Sequence, residues 1–161
     1  MKNTSRLICL LLAAYLPSEL FASKYTDSIL TKSTAAKGIL RCGKTPLKDA
    51  HVWLFRNTTL QDDDILDYVV TGPDGSFSLE GHTGGRPSEN MGIKPKLRFF
   101  HKCDHTKDSY RVFNFAYNET YTNLGRITRK TFDLGEFNLQ LQMPGETTEK
   151  KLYEGKPKKF E

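Results

Sequence analysis

A chain of 161 residues, 37% hydrophobic and 27% charged, holds enough apolar material for one ordinary domain. Its net charge of +5 is modest and spread along the sequence, which excludes the basic stripe of a nucleic-acid binder. Beyond the N-terminal stretch no segment is long and apolar enough to cross a bilayer.

Lys2 and Arg6 precede the apolar run LICLLLAAYL from Leu7 to Leu16, and PSELFAS then ends on the small pair Ala22-Ser23. A positive start, a short apolar run and small residues in that order predict a secretory signal peptide over residues 1–22. The run falls well short of the roughly 20 residues that a spanning helix needs. Its removal takes Cys9 away and leaves a secreted, extracellular product. Residues 23–36 read as a polar leader without periodicity, residues 37–144 as the domain, and residues 145–161 as a charged tail. In that tail Lys150, Lys151, Lys156, Lys158 and Lys159 are interrupted by Glu149, Glu154 and Glu161, the pattern of a solvated terminus, with a basic handle for anionic membrane or glycan surfaces as the alternative.

The domain alternates polar and apolar residues over short spans. KGILRC leads to a turn at Lys44-Thr45-Pro46, and HVWLF follows at His51 to Phe55. DYVVT runs into Gly72-Pro73-Asp74-Gly75 before SFSLEG resumes the extended pattern. Pro73 fixes φ and Gly75 tolerates positive φ, so a hairpin is expected between Val70 and Phe77. PKLRFFHKC and YRVFNFAY flank the polar loop Asp104 to Ser109, and a single helical turn is expected near Asn118 to Leu124. In TFDLGEFNLQL, Phe132 and Leu134 are out of phase with Phe137, Leu139 and Leu141, which predicts a bulge or kink at Gly135. About seven strands at this spacing predict an all-β antiparallel sandwich.

Within PKLRFFHKC a strand places Leu97, Phe99, His101 and Cys103 on one face and Lys96, Arg98, Phe100 and Lys102 on the other. His101, Cys103 and His105 offer a zinc-binding tripod, while Cys42 offers Cys103 a disulfide partner. An even cysteine pair in an oxidising compartment is read first as a bridge, with the metal and a free nucleophilic thiol as alternatives. Asp62, Asp63, Asp64 and Asp67 form the densest acidic patch, read as a solvated loop that guards a sheet edge, with calcium binding as the alternative. Asn57-Thr58-Thr59 and Asn118-Glu119-Thr120 are glycosylation sequons beside predicted loops. No nucleophile elbow, phosphate-cradling glycine run or spaced carboxylate pair occurs, so neither an enzyme nor a cofactor or metal is expected. His51, Trp53 and Phe55 share one phase of their strand and Phe100 opposes Leu97 and Phe99, so one outer sheet face carries surplus apolar area. Trp53 and Phe100 mark that face as a binding surface, core packing being the alternative for Trp53.

KGILRCGKTPLKDAHVWLF, DDDILD, TGPDGSFSLEG, IKPKLRFFHKC, YRVFNF and KTFDLGEFNLQ, in this order from Lys37 to Gln142, resemble the nematode transthyretin-like family. The resemblance implies a secreted protein with a transthyretin-like Greek-key β-sandwich, and Cys42 and Cys103 match its G-x-L-x-C and H-x-C contexts, which supports the bridge. The chain departs from the family at GHTGGRPSENMGIKP, which carries extra glycine and polar residues. The hydroxyisourate hydrolases share the fold, with a catalytic N-terminal His and a C-terminal Tyr-Arg-Gly-Ser. Here no His lies between Lys24 and Ala50, and the chain reads Lys158-Lys159-Phe160-Glu161 instead. The expected function is a secreted, non-enzymatic binding protein for an extracellular or cell-surface protein, lipid or lipophilic small molecule. In a parasitic source it would suit a host-directed effector. The alternative is a carrier of a small lipophilic ligand.

Overall fold

The computed structural model describes residues 29–56, 64–85, 92–105 and 108–152. The signal peptide expected over residues 1–22, the sequon at Asn57, Asp62 and Asp63, and the tail from residue 153 onward lie outside the described residues. The strands are β1 (Lys32–Cys42), β2 (Thr45–Pro46), β3 (His51–Arg56), β4 (Asp64–Val70), β5 (Ser76–His82), β6 (Pro95–His101), β7 (Tyr110–Ala116), β8 (Thr122–Leu124), β9 (Thr131–Asn138) and β10 (Thr147–Glu149). Seven of them have six or more residues, in agreement with the all-β sandwich read from the alternation. The only described 3-10 turn of this part of the chain, Glu119–Tyr121, falls where the helical turn was expected.

Two five-stranded sheets form the sandwich. In the first, β1 is central: β5 and β2 run antiparallel along one edge, while β8 (antiparallel) and β9 (parallel) share the other. The second is wholly antiparallel in the order β10-β7-β6-β3-β4. Ala36 and Leu40 of β1, Phe77 and Leu79 of β5, Val52 and Leu54 of β3, Leu97 and Phe99 of β6, and Leu139 fill the space between the sheets. Burial of such side chains is worth about 1.5–3 kcal/mol each, and it fixes the register of each strand because a one-residue slip would turn the set outward.

Three expectations are corrected. The turn from Gly72 to Gly75 does not close a hairpin: β4 pairs with β3 in the second sheet and β5 with β1 in the first, so the turn arches between the sheets. Gly75 has φ +74°, and a Cβ there would lie 2.3 Å from the Leu40 carbonyl oxygen, so the arch is seated on β1 at a position only glycine fits. Second, β1 begins at Lys32, inside the stretch 23–36 read as a leader. Ser33, Thr34, Ala35 and Ala36 are all buried, because neighbours on both edges crowd the strand and small side chains suit it. Third, the tail read from residue 145 includes β10, whose Thr147, Thr148 and Glu149 pair with Val112, Arg111 and Tyr110.

Candidate binding groove and the disulfide end of the sandwich

β1 ends at Cys42 and β6 ends two residues before Cys103. The two cysteines form a disulfide with Cα atoms 5.6 Å apart, tying the first sheet to the second. Asp104, at φ 49°, brings one carboxylate oxygen to 3.9 Å from Cys42 Sγ, and the other accepts from Gln140 Nε2 at 2.8 Å. Cys42, Cys103 and Asp104 are the one grouping of metal-ligating atoms among the described residues, but both sulfurs are spent on each other. The His101-Cys103-His105 tripod is not assembled. His101 Nδ1 accepts from the Cys103 backbone N–H at 3.3 Å, and His105 Nε2 hydrogen-bonds Ser109 Oγ at 2.6 Å.

Beside the bridge lies a buried polar cluster. Arg111 pairs with Glu146 through both its Nε and Nη2 and donates to the carbonyls of Cys103 (3.0 Å) and Leu141 (3.2 Å). Burial alone would raise the Glu146 carboxyl, but hydrogen bonds from Arg111 and the Met143 N–H, with the Arg111 charge, hold it below the usual range. His101 is 1% exposed and its Nε2 has no hydrogen-bond partner among the described residues. Burial, then the charge of Arg111, pushes His101 down to about 4, against the opposing pull of Glu146. Because the folded state prefers the neutral ring, its contribution is complete above the unfolded value near 6.5 and is lost as pH falls toward about 4. At roughly 1.4 kcal/mol per unit, this amounts to about 3 kcal/mol. Urea unfolding midpoints measured from pH 7 to pH 4 are expected to fall, and His101→Gln is expected to flatten the part of the curve between pH 6.5 and 4. An unchanged slope in that variant would assign the acid sensitivity to other groups.

The outer face of the second sheet carries a second apolar cluster of Trp53, Phe55, Ile65, Phe100 and Val112. Trp53 and Phe100 do face away from the main core, but at 3% and 0% exposure neither offers area to a partner, which corrects their assignment as binding residues. Tyr68 and Tyr110 pack over them with Leu152, and the Lys96 and Arg98 cations lie 5.6 and 4.9 Å from the Phe55 ring centre. His51 Nδ1 meets the Tyr68 hydroxyl at 2.5 Å on this face. His51 and His101 therefore sit on opposite faces of the sheet and cannot serve one reaction centre.

Asp67, part of the acidic patch, accepts from the Tyr68 N–H (2.8 Å) and the Glu80 N–H (3.0 Å), so it staples β4 to β5. Asn118 is exposed, and its Oδ1 accepts from the Thr120 N–H at 2.8 Å.

A groove opens where β1 and β9 fall out of register. Lys37 pairs with Asp133 but Ile39 with Glu136, so Gly38 alone faces Leu134 and Gly135, the bulge anticipated at Gly135. Gly135 takes φ +68° there. The resulting open groove of ≈ 670 Å³ is lined by Ile39, Val69 and Phe77, with Lys37, Asp133 and Glu136 on its rim. Lys37 Nζ lies 3.3 Å from Asp133, and Arg41 grips Glu136 through two nitrogens at 2.8 Å. The Gly135 N–H, with help from Lys37, lowers the Asp133 carboxyl, and Arg41 lowers that of Glu136. Both rim carboxylates are thus held ionised. Apart from Gly135, sequence reasoning marked none of these residues.

A model of the transthyretin-like family matches residues 37–116. Among curated relatives, transthyretin-like protein 33 of Caenorhabditis elegans is 34% identical over 124 residues, covering 76% of this chain and 84% of its own. Transthyretin-like protein 2 of the same nematode is 35% identical over 124 residues, covering 73% and 81%. The chain belongs to the transthyretin-like family. Transthyretin-like protein 46 is 36% identical over 118 residues, a match that spans 71% of this chain and 64% of that relative's length. In this transthyretin-like chain the family match contains both disulfide cysteines and the β1 and β5 walls of the groove, whereas the β9 wall with Asp133 and Glu136 lies beyond it.

Proposed function

We propose that the chain is a secreted, non-enzymatic binding protein that engages an extracellular or cell-surface partner through the groove between β1, β5 and β9. The observation that carries this reading is the groove itself. It has an apolar floor and a rim of charges that are already paired, and its volume lies in the range of ordinary ligand sites. An acid-base pair needs one group that holds a proton near neutral pH, whereas Asp133 and Glu136 are both driven toward the ionised form. The disulfide and the signal-like N-terminus support an oxidising, extracellular destination.

Ser78 is exposed and lines the groove, so Ser78→Trp plugs it without touching the core. Wild type and Ser78→Trp are immobilised, exposed to extracellular fluid and to intact cell surfaces, cross-linked, and their captured species identified by mass spectrometry. Capture by the wild type should fall about tenfold in the plugged variant, as expected when a central contact is lost, with melting unchanged. Equal capture by both would remove the groove as the site. The apolar floor favours a second reading, a carrier of a small lipophilic ligand. Organic extraction of a lipophilic compound from wild type but not from Ser78→Trp, without captured protein, would establish that reading instead.

A further inference from the structure

The end of β1 remote from Cys42 presents a different surface. β8 pairs there with Lys32 to Thr34, and the chain leaves at Leu124, turns through Gly125 to Lys130 and enters β9. Leu124 is 73% exposed and Ile127 76%, and the neighbouring Ile29 and Leu30 are also exposed. This is not fraying: the Gly125 N–H donates to the Thr31 carbonyl at 2.8 Å, and the Thr128 N–H donates to Glu80 Oε1 at 3.1 Å. Arg126, Arg129 and Lys130 are exposed around the aliphatic groups, and among the described residues none of them has an ion-pair partner. The Arg126 guanidinium lies over Gly84, where a Cβ would be 2.8 Å from Nε.

We propose that Leu124 to Lys130, with Ile29 and Leu30 beside it, docks an acidic protein segment that carries aliphatic side chains among its carboxylates. This surface is separate from the groove and goes beyond it. An aliphatic centre rimmed by arginine has the anatomy of a protein interface, where buried apolar anchors are surrounded by charge. Charge decides against a second copy meeting this patch face to face, since three unpaired cations would oppose three more. It favours a partner rich in Asp and Glu. A fluid anionic lipid layer would also attract cations, but Leu124 to Lys130 with Ile29 and Leu30 includes none of the Trp or Phe that anchor a surface at a membrane interface.

The test uses the full secreted chain with its disulfide intact. A random peptide library displayed on phage is selected on the wild type and counter-selected on Arg126→Glu/Arg129→Glu/Lys130→Glu. Recovered peptides should be enriched in Asp and Glu interspersed with Leu, Ile or Val. Their affinity should fall about tenfold in Leu124→Ser/Ile127→Ser and also in Arg126→Lys, which keeps the charge but loses the fork. Ser78→Trp should bind them as the wild type does, which separates this surface from the groove reading. All substituted side chains are exposed, and circular dichroism with thermal melting confirms that each variant is folded. Peptides without acidic enrichment, or acidic peptides that bind all loop variants equally, would overturn the proposal. So would a failure to recover peptides, including the case in which the wild type sediments with phosphatidylglycerol vesicles and Arg126→Lys does so equally.

Discussion

Replacing both Cys42 and Cys103 by serine lowers the stability of the domain by about 4 kcal/mol, the loss expected when a cross-link closing a loop of this length is removed from the unfolded chain. The two residues are 61 positions apart in sequence, yet their Cα atoms are 5.6 Å apart. The bridge joins β1 of the first sheet to the segment just after β6 of the second, so it adds a covalent tie between the two layers. For a domain whose whole stability is about 5–15 kcal/mol, that loss is a large fraction. Urea denaturation of the wild type and the double serine variant measures it, and the double substitution avoids leaving one free thiol. The dependence on urea should also steepen, because an unfolded chain without the cross-link exposes more surface. A loss below about 1 kcal/mol with an unchanged slope would show that the bridge adds little constraint beyond the core.

The strands that were legible in the sequence are those whose two faces differ. Phe77 and Leu79 alternate with Ser78 and Glu80 in β5, and Leu97 and Phe99 with Lys96 and Arg98 in β6, so period and face could be read together. The start of β1 hid because burial there is achieved with small and hydroxyl side chains. Thr34, for example, meets the Tyr117 hydroxyl at 2.9 Å, a partner 83 residues away. The groove hid for a related reason: its rim is set by Lys37 with Asp133 and Arg41 with Glu136, pairs that exist only once β9 lies parallel to β1. Only the break of phase at Gly135 announced it. Glu146 and β10 were read as tail because charged residues around them suggest solvent, whereas the partner that buries Glu146 is Arg111, 35 positions earlier. The arch at Gly72 to Gly75 shows the limit of turn chemistry, since Pro-Asp-Gly specifies a reversal of the chain but not which sheet the next strand joins.

Phe100→Ala is expected to cost about 3–5 kcal/mol, the range for deleting a large buried aromatic side chain. Phe100 belongs to the outer face of the second sheet by strand parity, and on parity alone the substitution would be nearly free and would act on binding. The structure reverses that expectation because the face is roofed. Trp53 lies with its ring centre 4.8 Å from that of Phe100, Tyr110 at 6.4 Å, and Leu152 packs against the same cluster. The cavity left by alanine has no ready way to collapse, since the β3–β6 ladder fixes the backbone on the inner side, where Val52 pairs with Phe99. Trp53→Ala should be similarly costly, and the double variant should fall short of the sum by about 0.5–1.5 kcal/mol, the coupling typical of such ring pairs. Thermal and urea unfolding of the two single variants and the double variant measure these values. Partner capture should decline in each variant only in step with the folded fraction. If Phe100→Ala kept its melting temperature and lost capture, the face would be open to a partner in solution and the roof of Tyr68, Tyr110 and Leu152 would have to be displaceable.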